Sequence, residues 1–143
     1  MSEVLLNPYL TFGGNAGEAI SFYQKVLGGT LRVQTFRDFG APVSEGYLDK
    51  VMHAHLDADG LVLMASDAQE GSVPNVGDNV SLSLSGDAGQ RARLTEVFDK
   101  LSDGGSTSMP LGEAPWGALF GMLTDRYGIS WLINIDQSAA GSA

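Results

Sequence analysis

The sequence predicts an α+β fold of two βαβββ modules, whose curved mixed sheets surround a cavity and carry the helices on their outer faces. Two segments have the 3.6-residue periodicity of an amphipathic helix. Eight short segments show the two-residue alternation of a half-buried strand or a short apolar run. The order β-α-β-β-β occurs twice, and placing Phe22 on Phe98 also places Gly28-Gly29 on Gly104-Gly105. We therefore expect an internal duplication.

The first module has its helix in NAGEAISFYQKVLGG, residues 15–29. Asn15 is the predicted N-cap, Glu18 occupies the capping-box position, and Gly28-Gly29 ends the helix. Its predicted apolar stripe consists of Ala19, Phe22, Tyr23 and Val26. Strands are predicted at residues 6–12, 30–39, 51–57 and 61–66, and Asp59-Gly60 indicates a tight hairpin.

The second module has its helix in DAGQRARLTEVFDKLSDGG, residues 87–105. Asp87 is the predicted cap, Gln90 occupies the box position, and Gly104-Gly105 ends the helix. Its predicted apolar stripe consists of Leu94, Val97, Phe98 and Leu101. Strands are predicted at residues 79–85, 107–111, 118–124 and 130–135, with a turn at residues 125–128.

Residues 1–137 are expected to form a single domain, with module one at about 4–67, module two at about 78–136 and a flexible tail at 138–143. The opening MSEVLLNPYL lacks a basic segment followed by a long apolar one, so no signal peptide is expected. The apolar runs are too short to span a membrane. A cytoplasmic protein is therefore expected.

Composition excludes several classes of function. The chain has no cysteine, so it has no disulfide, thiolate metal site or cysteine nucleophile. The net charge of −9 and the eight scattered basic residues argue against a nucleic-acid partner, because phosphate backbones bind clustered Lys and Arg. The acidity is typical of a soluble protein and does not by itself specify a partner.

The strands beside the helices alternate between apolar and more polar residues. The more polar residues are candidates for the wall of a cavity. Ser81, Ser83 and Ser85 alternate with apolar residues before the second helix, and Asn134 lies in the last strand. If the apolar residues face the helices, the others line a semi-polar wall, the usual setting of a small-molecule site. The alternative, which the composition favours equally, is that these polar residues lie on a sheet face that is open to solvent.

His53 and His55 are the two histidines of the chain, and their spacing places both on one face of a strand. Asp57 extends that face, so a metal site of two imidazoles and a carboxylate is chemically conceivable. The favoured interpretation is that they are polar residues of the sheet. No Ser-His-Asp or phosphate-loop spacing occurs, and Glu113 in the segment MPLGEAPWG is a conceivable general base.

Three segments carry a family resemblance: NPYLTFGGNAGEAISFYQKVLGG, MHAHLDADGLVLMASD and MPLGEAPWGALFGMLTDRYGISWLIN. Because of these segments, residues 6–136 resemble the vicinal-oxygen-chelate superfamily, which includes glyoxalases, bleomycin resistance proteins and extradiol dioxygenases. The resemblance is strongest to the PhnB-like branch of that superfamily. The resemblance implies paired βαβββ modules and a homodimer. Members of this branch are often labelled demethylubiquinone methyltransferases, but the chain has no G-x-G-x-x-G turn and the wrong element order for such an enzyme.

The resemblance also implies where a metal would be held in metal-dependent members of the superfamily. Their four ligand positions fall near Asn7, Leu63, Ser81 and Leu132, with the first two placed to within about one residue. Amide, hydroxyl and leucine side chains replace the imidazoles and carboxylates that such a site needs. We therefore expect no metal and no cofactor.

Three functions remain in competition. The leading one is a metal-independent small-molecule binding protein, which leaves enzymatic activity uncertain. The others are a metal-dependent lyase, isomerase or dioxygenase that recruits His53 and His55, and a structural or regulatory dimer without ligand. The predicted ligand-binding residues are Asn7, Tyr9, Ser81, Ser83 and Asn134 as polar contacts, with Trp116, Phe120 and Met122 as apolar wall.

Overall fold

A computed structural model describes residues 3–137, and the chain divides after residue 75 into two compact units. The first unit contains β1 (Tyr9–Phe12), α1 (Ala16–Leu27), β2 (Thr30–Thr35), β3 (Val51–Ala58) and β4 (Leu61–Asp67). The second unit contains β5 (Ser81–Gly86), α2 (Arg91–Ser102), β6 (Ser106–Glu113), β7 (Leu119–Thr124) and β8 (Ser130–Ile135). The predicted order β-α-β-β-β is thus present in both. The tail predicted at 138–143 lies outside the described residues.

Each unit has one four-stranded mixed sheet, and the two sheets have the same topology. Their strand orders are β1-β4-β3-β2 and β5-β8-β7-β6. The pairs β1–β4 and β5–β8 are parallel, and the remaining pairs are antiparallel. The predicted α+β class and the repeated module are confirmed.

One helix packs on one face of each sheet. The predicted stripe of α2 is confirmed, since Leu94, Val97, Phe98 and Leu101 are all buried. In α1 the buried stripe is rotated relative to the prediction, because Phe22 and Val26 are only half-buried. The residues that α1 buries are Ala16, Ala19, Ile20, Tyr23 and Leu27. Small alanines at the start of the stripe allow the helix to approach the sheet closely.

The face of each sheet that does not contact its helix is called here the far face. Alternation along the strands decides which residues lie on it. In β3 the buried Ala54 and Leu56 face α1, which places His53 and His55 on the far face. In β8 the buried Trp131, Ile133 and Ile135 face α2, which places Leu132 and Asn134 on the far face.

Strands β1 and β2 are three and four residues shorter than predicted, for local reasons, and β6 is three residues longer. The first begins at Tyr9 and not at Leu6, because Pro8 has no N–H to donate to a ladder. Only the Pro8 carbonyl continues the pairing, accepting from Met64 N at 3.1 Å. The second ends at Thr35, where the Asp38 carboxylate accepts a hydrogen bond from the backbone N–H of Thr35 at 2.8 Å and closes a turn.

The cap of α1 comes from a distant residue. Asn15 precedes the helix as predicted, but its side chain makes no capping hydrogen bond. Instead, the buried Asp67 accepts from Gly14 N and Ala16 N at 2.9 Å through Oδ1, and from Val51 N at 2.8 Å through Oδ2. The parallel β1–β4 pair brings Asp67 to this position. Asp87 was predicted to cap α2, but it caps a 3-10 turn (Ala88–Gln90) that leads into that helix, accepting from Gly89 N at 2.9 Å. Gln90, which directly precedes α2, makes no side-chain capping hydrogen bond.

The predicted hairpin between β3 and β4 is confirmed. Asp59 and Gly60 both have positive φ, at 55° and 92°, as a type I′ turn requires. Neither helix, among residues 3–137, is long and apolar enough to cross a membrane.

Candidate functional site

A cavity of about 310 Å³ lies in the second unit, at the end of the β6–β7 hairpin. The turn of this hairpin is closed by Ala114 N donating to Ala118 O at 2.8 Å and Gly117 N donating to Ala114 O at 2.9 Å. Gly117 has φ of 92°, a conformation that favours glycine. The cavity is lined by Met109, Pro110, Gly112, Glu113, Ala114, Pro115, Trp116 and Phe120.

Trp116 forms the outer wall of this cavity, and two neighbours hold it in place. Its indole N–H donates to Asn134 Oδ1 at 3.2 Å. Its ring meets Phe120 edge-on, with centroids 5.2 Å apart and planes at 71°. The side chain nevertheless remains 63% exposed. The hydrogen bond and the aromatic contact therefore hold the indole in one orientation while most of its surface stays open to solvent.

The structure therefore brings three of the predicted ligand-binding residues together: Trp116, Phe120 and Asn134. Phe120 lies opposite Asn134 in the β7–β8 pair. Because Trp116 precedes β7 by only a few residues and contacts Phe120, its indole also reaches Asn134. The segment MPLGEAPWG supplies most of the lining, including Met109 and Glu113.

Three further predicted residues lie on the far face of the same sheet, outside the residues that line the cavity. Ser83 and Met122 flank Leu132 across the β5–β8 and β7–β8 pairs. Ser81 pairs with Ser130 at the other end of β5. Ser81 and Ser83 are exposed and Met122 is half-buried. Their role in binding stays a prediction.

Asn7 and Tyr9 belong to the first unit. Asn7 is half-buried and precedes β1. Tyr9 lies on the far face of the first sheet, where its hydroxyl is 3.3 Å from His53 Nδ1. Their assignment to a ligand site also stays a prediction.

No group of three or more His, Asp or Glu side chains within residues 3–137 is placed to hold a metal ion. The four positions implied by the family are also poor in donors. Leu63 faces α1 and is 4% exposed, so Met64 takes the far-face position one residue later. Ser81 and Leu132 both lie on the far face of the second sheet, where Leu132 pairs with Ser83 and Ser81 with Ser130. A thioether, a hydroxyl and a leucine do not match the nitrogen and carboxylate donors of zinc or iron sites.

Comparison with known proteins relates the chain to one family. The profile of the family described as 3-demethylubiquinone-9 3-methyltransferase matches residues 5–134. Protein YjdN of Escherichia coli (strain K12) is 31% identical over 144 residues, covering 91% of this chain and 94% of YjdN. Protein PA1353 from Pseudomonas aeruginosa has a crystal structure with a TM-score of 0.81 and 39% identity, covering 95% of this chain and 100% of that one.

Two other solved structures extend the likeness. The PhnB protein from Bacillus cereus has a TM-score of 0.68 and 26% identity, covering 92% of this chain and 99% of that one. A glyoxylase/bleomycin resistance protein/dioxygenase domain from Frankia sp. EAN1pec has a TM-score of 0.64 and 14% identity, covering 99% and 96%. At that identity the likeness concerns the fold, which is the glyoxalase-like arrangement of repeated modules.

Proposed function

The chain belongs to the PhnB-like family described as 3-demethylubiquinone-9 3-methyltransferase, and we propose that it is a metal-independent small-molecule binding protein of the glyoxalase/bleomycin-resistance type. The observation that carries the proposal is the cavity beside Trp116. Its volume of about 310 Å³ is at the lower end of the range for small-ligand sites. The proposal also includes a homodimer, which the family resemblance implies, and a location in the cytoplasm.

The chemistry of the cavity favours a small, largely apolar ligand with one polar group. Met109, Pro110, Pro115 and Phe120 offer apolar surface, and Glu113 is the single charged residue of the lining. A planar ligand would stack on the Trp116 indole, which is already oriented and so loses little conformational entropy on binding. Glu113 would accept a hydrogen bond from the polar group of the ligand.

Metal independence is supported by the donor chemistry of the family positions. Asn7, Met64, Ser81 and Leu132 offer no imidazole or carboxylate. A metal that polarises a substrate oxygen needs such ligands to hold it. The methyltransferase activity in the family description is not part of the proposal, because neither four-stranded sheet has the parallel strand–turn–helix architecture of a nucleotide-binding fold.

A thermal-shift screen of small aromatic compounds, run with EDTA in the buffer, tests the proposal. A ligand at 100 times its Kd should stabilise the folded protein by about 2.7 kcal/mol. Trp116→Leu should weaken binding of the hits by about tenfold or more, since truncating an aromatic anchor costs about 1–2 kcal/mol. Phe39→Leu is the matched control, because Phe39 is a half-exposed aromatic of the first unit.

Absence of any stabilising compound would favour the structural or regulatory dimer over a binding protein. Hits that bind Trp116→Leu as tightly as the natural sequence would place the site elsewhere. Stabilisation that appears only when zinc, nickel, iron or manganese replaces EDTA would favour the metal-dependent enzyme instead.

A further inference from the structure

The far face of the first sheet carries a second group of polar residues, which the cavity in the second unit does not use. His55 lies opposite Arg32 and His53 lies opposite Gln34 in the antiparallel β2–β3 pair. Opposite residues project from the same face with their Cβ atoms about 5 Å apart. Both histidines are half-buried, whereas Arg32 and Gln34 on the edge strand are exposed. An arginine and a histidine are therefore cross-strand neighbours on this face.

Less polar groups continue the row across the sheet. Met64 lies opposite His55 in β4, and Tyr9 lies opposite Met64 in β1. The Tyr9 hydroxyl is 3.3 Å from His53 Nδ1, and the two rings are 5.8 Å apart between centroids. A ligand that reached from Arg32 towards Tyr9 would therefore pass from a charged end to an aromatic end.

The charges on this face favour an anion over a metal cation. Arg32 forms no salt bridge within residues 3–137, although the chain has 17 acidic residues and 8 basic ones. Asp57 is the carboxylate on the same face, and it accepts from Gly60 N at 3.3 Å in the hairpin turn. A divalent cation on His53 and His55 would lie next to the Arg32 guanidinium and be repelled by it.

We propose that this face binds an organic oxyanion, with its phosphoryl or carboxylate group against Arg32 and His55 and its apolar body on Met64 and Tyr9. The guanidinium presents paired N–H donors that match either oxyanion. The imidazole of His55 supplies a further N–H donor, and the amide of Gln34 lies two residues along β2 from Arg32, on the same face. The inference is independent of the cavity beside Trp116.

The experiment is an NMR titration of the histidine side chains, because His53 and His55 are the two histidines of the chain and both lie on this face. The probes are phenylphosphonate and benzoate, which share a ring and differ in the anionic group. Benzyl alcohol is the uncharged comparison and inorganic phosphate the comparison without a ring. We expect saturable shifts of both histidines with at least one aromatic anion and none with benzyl alcohol.

Arg32→Gln should raise the Kd of the bound anion by about tenfold to a hundredfold, the effect of losing a hydrogen bond to a charged group. Arg91→Gln removes the same charge from the exposed start of α2 and should leave the Kd unchanged. Both variants change exposed side chains, and unchanged thermal unfolding would establish that each is folded. His55→Asn provides a second test on the neighbouring strand and should also weaken binding.

Three results would overturn the proposal. The first is the absence of histidine shifts with every anion at millimolar concentration. The second is a Kd that Arg32→Gln leaves unchanged. The third is a stoichiometric response of both histidines to Zn²⁺ alone without a response to the anions, which would make this face a metal site. Shifts with inorganic phosphate equal to those with phenylphosphonate would refute the role given to Met64 and Tyr9.

Discussion

Replacing Asp125 with alanine removes the acceptor for a buried indole N–H and for two backbone N–H groups of the β7–β8 turn. Its Oδ2 accepts from Trp131 Nε1 at 2.8 Å. Its Oδ1 accepts from Tyr127 N at 2.8 Å and from Ile129 N at 3.1 Å. Asp125 is 3% exposed and Trp131 is 2% exposed, so water has little access to the indole N–H.

The expected loss of stability follows from these three hydrogen bonds. A buried donor left without a partner costs about 1–3 kcal/mol, which applies to the Trp131 indole. The two turn amides are only partly buried, so water can replace the carboxylate at a cost of about 0.5–1 kcal/mol each. The free energy of unfolding should therefore fall by about 2–5 kcal/mol, a large share of the 5–15 kcal/mol typical of a domain.

Urea unfolding followed by far-UV circular dichroism measures this loss, with the m-value as a check that the unfolding transition is otherwise unchanged. Asp99→Ala is the matched control, because Asp99 is exposed on α2 and alanine is the better helix former. Its stability should be unchanged or slightly raised. A double-mutant cycle with Trp131→Phe should give a coupling energy of about 1–3 kcal/mol between Asp125 and Trp131.

A loss below about 1 kcal/mol for Asp125→Ala, or a coupling energy near zero, would refute this reasoning. It would mean that the indole N–H finds another acceptor or a water molecule when the carboxylate is gone.

Two further predictions concern the first unit. Gly29 has φ of 95°, and a Cβ there would lie 2.3 Å from the Asp57 carbonyl oxygen, so Gly29→Ala should lower the free energy of unfolding by at least about 2 kcal/mol. Gly46→Ala, where a Cβ meets nothing within 4 Å, should change it by less than about 0.5 kcal/mol, and similar urea midpoints for the two variants would contradict the clash. Hydrogen bonds from the Ser44 hydroxyl and backbone N–H lower the pKa of Glu70, so the stabilisation is present above the unfolded pKa and is lost as pH falls through the lowered folded pKa. Ser44→Ala should raise the pKa of Glu70 in an NMR titration, and an unchanged pKa would show that the hydroxyl does not bind the carboxylate.

Much of the fold could be predicted because local patterns record burial. Strand β8 has its predicted bounds, and the apolar stripe of α2 is the predicted one, since alternation and helical periodicity are properties of short segments. The errors fall where a neighbouring segment intervenes. Phe22 was predicted in the buried stripe of α1, but the helix turns its alanines to the sheet. The capping of α1 was assigned to Asn15, but Asp67 does it from β4.

Part of the candidate site could also be predicted from residue type and strand alternation, which are local properties of the sequence. Trp116 and Phe120 were identified from residue type and position, and Asn134 from strand alternation. Their contact depends on the register of β7 against β8, which hydrogen bonding between strands decides. Leu63 shows the cost of a one-residue uncertainty, since it faces α1 and Met64 takes its place on the far face.

By itself, the sequence determined the order of the elements, their duplication and the scarcity of metal-binding donors, because periodicity and residue chemistry can be read without knowing what lies opposite. The tertiary structure alone decided which distant side chains meet. It placed Trp116 on Asn134 and Arg32 opposite His55, because a strand acquires neighbours only when its backbone hydrogen bonds select a partner and a register. Those pairings turn scattered polar and aromatic residues into a cavity and a charged sheet face.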